Sequence, residues 1–361
     1  MALAVGIVGL PNVGKSTLLN ALTQAGADAS NYPFCTIEMN VGVTPVPDPE
    51  LLRLERILEP EETVPTTIRF VDIAGLVAGA SKGDGLGNTF LGHIREVDAI
   101  LHVVRCFASA DIVHATGEPD PVRDVRIVET ELMLADLETA ARALEKLERR
   151  VGTGDKSAVA ERDAFGKAVA ILDGGTPLRA ADLTPEERAR LAPARLLTAK
   201  PCLYLANTGE NDPRGEGPLP TALREDRGEA DIVCVSVEIE EEISELSPPE
   251  QAEFLEELGL AGDALHLVIN ASYRLLGLIT FYTIANRKLQ AWQLPRGATA
   301  PEAAGRIHSD MQDGFIRAEV MALEDLLREG SRHALHEKGL IRTVGRDYAV
   351  QDRDVLQIHF K

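Results

Sequence analysis

Gly9-Leu10-Pro11-Asn12-Val13-Gly14-Lys15-Ser16-Thr17 satisfies G-x-x-x-x-G-K-[ST] in full, between the apolar run 4–9 and the apolar stretch 18–22. A chance glycine turn would lack this strand–loop–helix setting. Gly9 and Gly14 let the backbone curl so that amides of Asn12, Val13, Gly14 and Lys15 point at phosphate oxygens, where the following helix adds its positive end. Lys15 is expected to reach the β and γ phosphates and to act in catalysis, and Ser16 to ligate Mg²⁺, with Thr17 completing the cradle. The fold that presents such a loop is α/β with a mostly parallel sheet.

The stretch Phe70-Val71-Asp72-Ile73-Ala74-Gly75 is an apolar strand ending in an acid and then a glycine. Asp72 is expected to hold Mg²⁺, and the amide of Gly75 to contact the γ phosphate during catalysis. Thr36, in the loop 31–36, stands where switch proteins place a threonine that binds the metal only while the γ phosphate is present. The glycine-rich segment 81–88 suits a second switch. Asn12 is placed to hold a monovalent cation such as K⁺ beside the phosphates.

Base recognition departs from ordinary GTP switches, which use Asn-Lys-x-Asp. Here the strand ends Asn207-Thr208-Gly209-Glu210. Thr208 cannot pack on a ring as lysine does, and Glu210 carries its carboxylate one methylene too far. Ser236 opens a later loop that likewise lacks the usual Ser-Ala-Lys. Guanine preference is expected to be weak or lost. Leu76 replaces the glutamine that orients water, so another group must do it, and His114, in the loop 108–121, is the candidate.

Five short Val/Ile/Leu-rich segments, 4–9, 67–71, 99–104, 202–206 and 232–235, read as buried parallel strands, with an alternating strand at 38–43 beside them. Between 99–104 and 202–206 lies an insertion of roughly eighty to ninety residues, longer than a crossover needs. Within it Val128, Leu132, Ala135, Ala140, Leu144, Leu147 and Val151 recur at threes and fours, and a second stripe, Val159, Phe165, Val169 and Leu172, follows Gly152-Thr153-Gly154-Asp155-Lys156. The two predict an antiparallel helical arm. Thr184, Pro185 and Glu187 cap a third helix that Pro193 kinks or divides. An acidic linker at 238–263 carries a helix start at 247–250. Beyond it, β-rich segments 278–284 and 288–294, a helix start at 299–302, then 315–320 and 355–360 give the order of a small β-grasp module.

The 361 residues carry 45% hydrophobic and 26% charged side chains, an ordinary globular balance, and no window is apolar enough to span a bilayer. The start of the chain has no basic leader, so no export signal is expected. The cysteines, Cys35, Cys106, Cys202 and Cys234, are scattered singly and suit a reducing cytoplasm. The net charge of −20 argues against a protein that coats DNA. Residues 278–361 hold 12 Lys and Arg against 11 Asp and Glu, so they stand nearly neutral beside an acidic remainder. RNA contact is expected there, through residues such as Arg287, Lys288, Arg296 and Arg306.

GLPNVGKST, NYPFCTIE, FVDIAGLVAGASKGDGLGN, HVVRCF, the N-x-x-E loop and GATAPEAAGRIH together resemble the YchF subfamily of Obg-like nucleotidases, over essentially the whole chain. The resemblance implies a nucleotidase domain (1–122 and 200–277), a helical arm (123–199) and a TGS domain of β-grasp type (278–361). It also implies ATP in preference to GTP, association with ribosomes or ribosomal RNA, a hydrophobic residue at Leu76 and a functional histidine at His114. A monomeric Mg²⁺-dependent ATPase switch without membrane attachment is the expectation. A GTP-hydrolysing translation factor and an ATP-gated binding module with little hydrolysis are the alternatives.

Overall fold

Segments apolar on every residue have no solvent face, so they settle in the middle of a sheet covered on both sides. In the computed structural model these are β1 (Ala4–Val8), β5 (Ala99–Cys106) and β6 (Cys202–Thr208), buried along their whole length. With β2 (Val41–Pro45), β4 (Thr67–Asp72) and β7 (Ile232–Val235) they form one sheet in the order β2-β4-β1-β5-β6-β7. The pairs β1–β4, β1–β5, β5–β6 and β6–β7 are all parallel. β7 is only half-buried, because it is an edge strand. The alternating strand lies at Val41–Pro45 rather than 38–43, and residues 38 and 39 fall outside the described set.

The structure describes residues 3–24, 40–73, 86–109, 114, 117–228, 232–244, 246–258, 260, 262 and 264–361. They divide into two compact units, Met1–Gly42 with Arg69–Val268, and Val43–Ile68 with Ile269–Lys361.

In the first unit, α1 (Lys15–Gln24) follows β1, and α3 (Leu86–Glu96) precedes β5. The arm starts with the 32-residue α4 (Pro121–Gly152), capped by the Asp120 carboxylate on the amide of Arg123 and by Pro121 in its first turn. Its length of about 48 Å follows from the helical rise. The antiparallel α5 (Val159–Asp173) closes on it through Ala140, Leu147, Phe165, Ala168 and Leu172, as the two stripes require. The third helix, α6 (Pro185–Leu191), has the full Thr184–Glu187 capping box, and Pro193 falls in the 3₁₀ turn Ala192–Ala194 that ends it.

Two buried acids fasten α4 to its surroundings, Glu129 to β6 and Asp136 to the 3₁₀ turn Leu197–Ala199. Glu129 accepts from Tyr204 Oη at 2.8 Å and pairs with Arg227, the last residue of α7 (Pro218–Arg227), at 2.7 Å and with Arg179. Asp136, fully buried, accepts from the amides of Leu197 and Thr198 and from the Thr198 hydroxyl at 2.7–2.8 Å. Part of the stretch expected to be a linker is helical instead. Val237, Ile239 and Ile243 bury one face of α8 (Val237–Ser244) against α1, since the glutamates between them leave an apolar stripe.

The second unit is built on the hairpin β8 (Leu278–Ala285) and β9 (Lys288–Pro295). Its two-residue turn puts Asn286 at φ 51° and Arg287 at φ 61°, the pattern of a type I′ turn. β10 (Phe315–Met321), β11 (Arg342–Val344) and β12 (Val355–Phe360) extend the sheet, with β12 parallel to β8 as in a β-grasp. The Thr299–Glu302 capping box starts the helix Ala300–Ile307 over one face.

By their contacts, residues 43–68 and 269–277 group with the C-terminal segment 278–361. β3 (Glu62–Val64) adds a parallel edge strand to β9. α2 (Pro49–Leu58), capped by Asp48, buries Leu51 and Leu54 in one cluster with Tyr282, Leu289 and Leu326. The Tyr282 hydroxyl donates to Asp48 at 2.9 Å. On the surface of this module Arg287 pairs with Glu61 at 2.7 Å and Lys288 with Glu62 at 2.9 Å.

Candidate nucleotide site

Sheet order reverses between β1 and β5, so the carboxyl ends of β1, β4, β5 and β6 border the crevice where α/β sheets bind ligands. The loop after β1 is tight. A Cβ on Gly9 would stand 2.4 Å from the Val103 carbonyl, and Gly14, at φ 94°, lies so close to Asn207 that a Cβ would meet its Nδ2 at 2.5 Å. Asn12 also takes a left-handed conformation, at φ 61°. α1 begins at Lys15, and the amide of Leu18 is the first to find an intrahelical acceptor, Gly14, at 2.9 Å. The amides of Lys15, Ser16 and Thr17 are therefore free of intrahelical bonds at a positive helix end.

Lys15 is buried and donates to the Leu10 carbonyl at 2.8 Å. Burial lowers its pKa from the ordinary lysine value, and the charge of Asp72 opposes that shift. Ser16 Oγ donates to Asp72 Oδ2 at 2.7 Å, so the hydroxyl and the carboxylate meet at the foot of the loop. The other oxygen, Asp72 Oδ1, is buried and has no hydrogen-bond partner among the described residues. A hydroxyl beside a carboxylate with a spare oxygen is an oxygen set suited to Mg²⁺ that keeps its waters and takes phosphate oxygens.

Asn207 is spent on the backbone. Its Nδ2 donates to the Val13 carbonyl at 2.9 Å and its Oδ1 accepts from the amide of Val237 at 3.1 Å. One buried side chain thus ties the phosphate loop to the loops after β6 and β7. Thr208 is buried, so it offers no platform to a purine, and Glu210 is exposed in the turn that follows. A Cβ on Gly209 would come 3.2 Å from Cβ of Phe107. Ser236 is buried, and its hydroxyl has no partner among the described residues.

Arg105 on β5 and Phe107 just after it were not singled out individually from the sequence. Arg105, fully buried, stacks its guanidinium 4.5 Å from the centre of the Phe107 ring and donates to the Phe107 carbonyl at 3.2 Å. His114 is buried with Nε2 2.8 Å from Asp124 Oδ2. Asp124 went unremarked because an acid in the first turn of a helix reads as a macrodipole complement. Thr36, Gly75, Leu76 and most of the 81–88 segment lie outside the described residues.

Comparison with known proteins places this geometry. The family model described as "50S ribosome-binding GTPase" matches residues 4–138, and the model YchF-GTPase_C, described as a protein of unknown function, matches residues 278–361. Proteins named "Ribosome-binding ATPase YchF" are similar over full length. That of Bacillus subtilis is 47% identical, covering 100% of both chains. That of Haemophilus influenzae is 49% identical, covering 100% of this chain and 99% of its own. The solved structure of the Schizosaccharomyces pombe YchF GTPase superposes with a TM-score of 0.89 at 34% identity, covering 99% of this chain and 97% of that one.

Proposed function

The chain belongs to the YchF family, and from that premise we propose that it is a Mg²⁺-dependent, ATP-hydrolysing switch that works on the ribosome in the cytoplasm. The observation that carries the reading is the Ser16–Asp72 contact of 2.7 Å beneath a phosphate loop whose lysine is already drawn inward. Lys15 and the amides of residues 12–17 hold the triphosphate, with Ser16, Asp72 and Thr36 on the metal and the Gly75 amide on the γ phosphate. When bound, Mg²⁺ neutralises charge that develops on the β and γ oxygens. A monovalent cation beside Asn12 would offset more of that charge.

ATP rather than GTP is supported by the relatives' printed names and by the loop after β6. Asn207 is consumed by Val13 and Val237, Thr208 is buried, and Glu210 has replaced the shorter acid that pairs with guanine. His114 orients the attacking water in place of glutamine. Phosphate release frees the loops carrying Thr36 and Gly75 and so changes the surface offered to the ribosome. We read 123–199 as the arm and the C-terminal module as TGS-type. Arg287, Lys288, Arg296 and Arg306 are its contacts for ribosomal RNA, and Arg296 and Arg306 border one surface depression with Gln312. A monomer suffices for this function.

Competition calorimetry of ATP against GTP, with Lys15→Ala as the control, tests the assignment. The expected result is tighter ATP binding that Lys15→Ala abolishes; a GTP preference of about tenfold overturns it. Co-sedimentation with ribosomes in ATP, ADP and a non-hydrolysable analogue tests the switch, and equal binding in all three states defeats it.

A further inference from the structure

The turn that leaves β9 and the helix Ala300–Ile307 border a depression on the C-terminal module, lined by Leu294, Arg296, Gly297, Glu302, Arg306 and Gln312. Arg296 sits on held backbone. Its amide donates to the Gly277 carbonyl at 2.9 Å, and the amide of Ala298 closes back on the Pro295 carbonyl at 3.1 Å. Gly297, at φ 86°, is the second central residue of this type II turn, where a glycine is needed. Arg306 stands one helical turn beyond Glu302, whose carboxylate is engaged by the amide and the hydroxyl of Thr299 at 2.6 and 2.7 Å. Arg328 and Arg332 of the same module are taken by Asp325 and Glu319, whereas neither Arg296 nor Arg306 forms an ion pair among the described residues.

Gly305 shows that this depression is built. Glycine is unfavourable within a helix, yet Gly305 lies in Ala300–Ile307. A Cβ there would stand 2.2 Å from Oε1 of Gln312 and 2.8 Å from its Cδ. The missing side chain thus lets the Gln312 amide lie against the helix, at the edge of the depression that both arginines share.

Guanidinium groups without carboxylates suit phosphate oxygens, and a side-chain amide offers a base edge both a donor and an acceptor. In duplex RNA the bases are stacked and their edges are hard for side chains to reach, whereas an unpaired nucleotide can be splayed out into a depression. We propose that this depression binds one unpaired nucleotide of RNA, with Arg296 and Arg306 on the phosphates and Gln312 on the base edge. The inference rests on the reading that this module meets ribosomal RNA, and it narrows that contact to a single-stranded loop, bulge or end.

Fluorescence anisotropy of the full chain tests this with a labelled oligouridine strand of about 12 nucleotides and an RNA duplex of equal length, titrated between about 50 and 200 mM KCl. The single strand is expected to bind about tenfold more tightly than the duplex. Arg296→Gln and Arg306→Gln should each weaken the single strand about 3- to 10-fold and lower the slope of log affinity against log salt by about 0.7, the share of one phosphate. Gln312→Ala should weaken it with the slope unchanged, because the amide carries no charge. Gly305→Ala should keep its thermal midpoint, since alanine suits a helix and the flexible end of Gln312 can move aside, while RNA affinity falls. Arg328→Gln removes the same charge away from the depression and should leave affinity within about twofold and the slope as it was. Tighter binding of the duplex, an unchanged slope in either Arg296→Gln or Arg306→Gln, full affinity in Gly305→Ala, or an equal change in Arg328→Gln overturns the proposal and leaves RNA contact by the module standing. Failure of the parent chain to bind either RNA overturns both.

Discussion

The side-chain amide of Asn207 donates to the carbonyl oxygen of Val13 at 2.9 Å, across 194 residues of sequence. Together with the Val237 amide on its Oδ1, this bond makes the phosphate loop one rigid piece with the loops that would hold the base. Asn207→Ala leaves a buried carbonyl and a buried amide without partners, at a cost of about 1–3 kcal/mol each. The expected outcome is a lower urea midpoint and a nucleotide affinity reduced by about tenfold or more, read by denaturation and calorimetry.

Lys15 is largely buried, so Lys15→Ala removes an amine that donates to the Leu10 carbonyl and feels the charge of Asp72. Stability should change little. ATP binding and turnover should both be lost, as equilibrium dialysis and phosphate release would record. Retention of both would contradict the site.

Glu129 holds the foot of the arm by neutralising two arginines and accepting from Tyr204. Glu129→Gln takes a carboxylate from half-buried Arg179 and from Arg227, which keeps Asp226 at 2.9 Å, and so costs about 1–3 kcal/mol. A fall of that size in unfolding free energy is expected by urea titration.

His102, on β5, is fully sequestered, and burial, aided by the charges of Arg179 and Arg227, lowers its pKa from 6.5 to about 3. The native state therefore refuses a proton that the unfolded chain accepts. The stability this lends is complete above pH 6.5 and is lost as pH falls from there toward 3, at up to about 1.4 kcal/mol per pH unit. His102→Gln should flatten the dependence of unfolding free energy on pH within that window, whatever its effect at pH 8.

Leu54, wholly buried on α2, packs with Tyr282, Leu289 and Leu326 of the C-terminal module. Leu54→Ala should destabilise that module by about 2–5 kcal/mol. Hydrogen exchange should show the loss in β8 and β9, and an effect confined to residues 1–42 and 69–268 would contradict the assignment of 43–68.

The parallel strands were legible because a run apolar at every position has one stable place, and the arm was legible because its stripes keep helical period between explicit breaks. Gly9, Gly14, Lys15, Ser16 and Asp72 could be read because phosphate chemistry demands fixed residue types at fixed spacing. Asn207 was read for base contact, and its bonds to Val13 and Val237 were not legible, because they join loops far apart in sequence. The assignment of 43–68 was hidden, since the pairing of β3 with β9 joins segments far apart in sequence and no local period encodes it. α8 was hidden by composition: its glutamates suggested a linker, while Val237, Ile239 and Ile243 fit under α1. Asp124 was missed because its importance lies in the partner that folding brings to it.

β3 also sets a timetable for synthesis. Glu62 must wait for Lys288, 226 residues further on, before its strand has a neighbour to pair with. At about 5–20 residues per second that is roughly 11–45 s during which a nascent chain carries α2 with Leu51 and Leu54 uncovered. The N-terminal nucleotide loop can close early, but this family member is complete only once its last hundred residues have left the peptidyl-transferase centre. A stalled or truncated product would therefore expose a greasy helix in its first fifth, a ready handle for a chaperone.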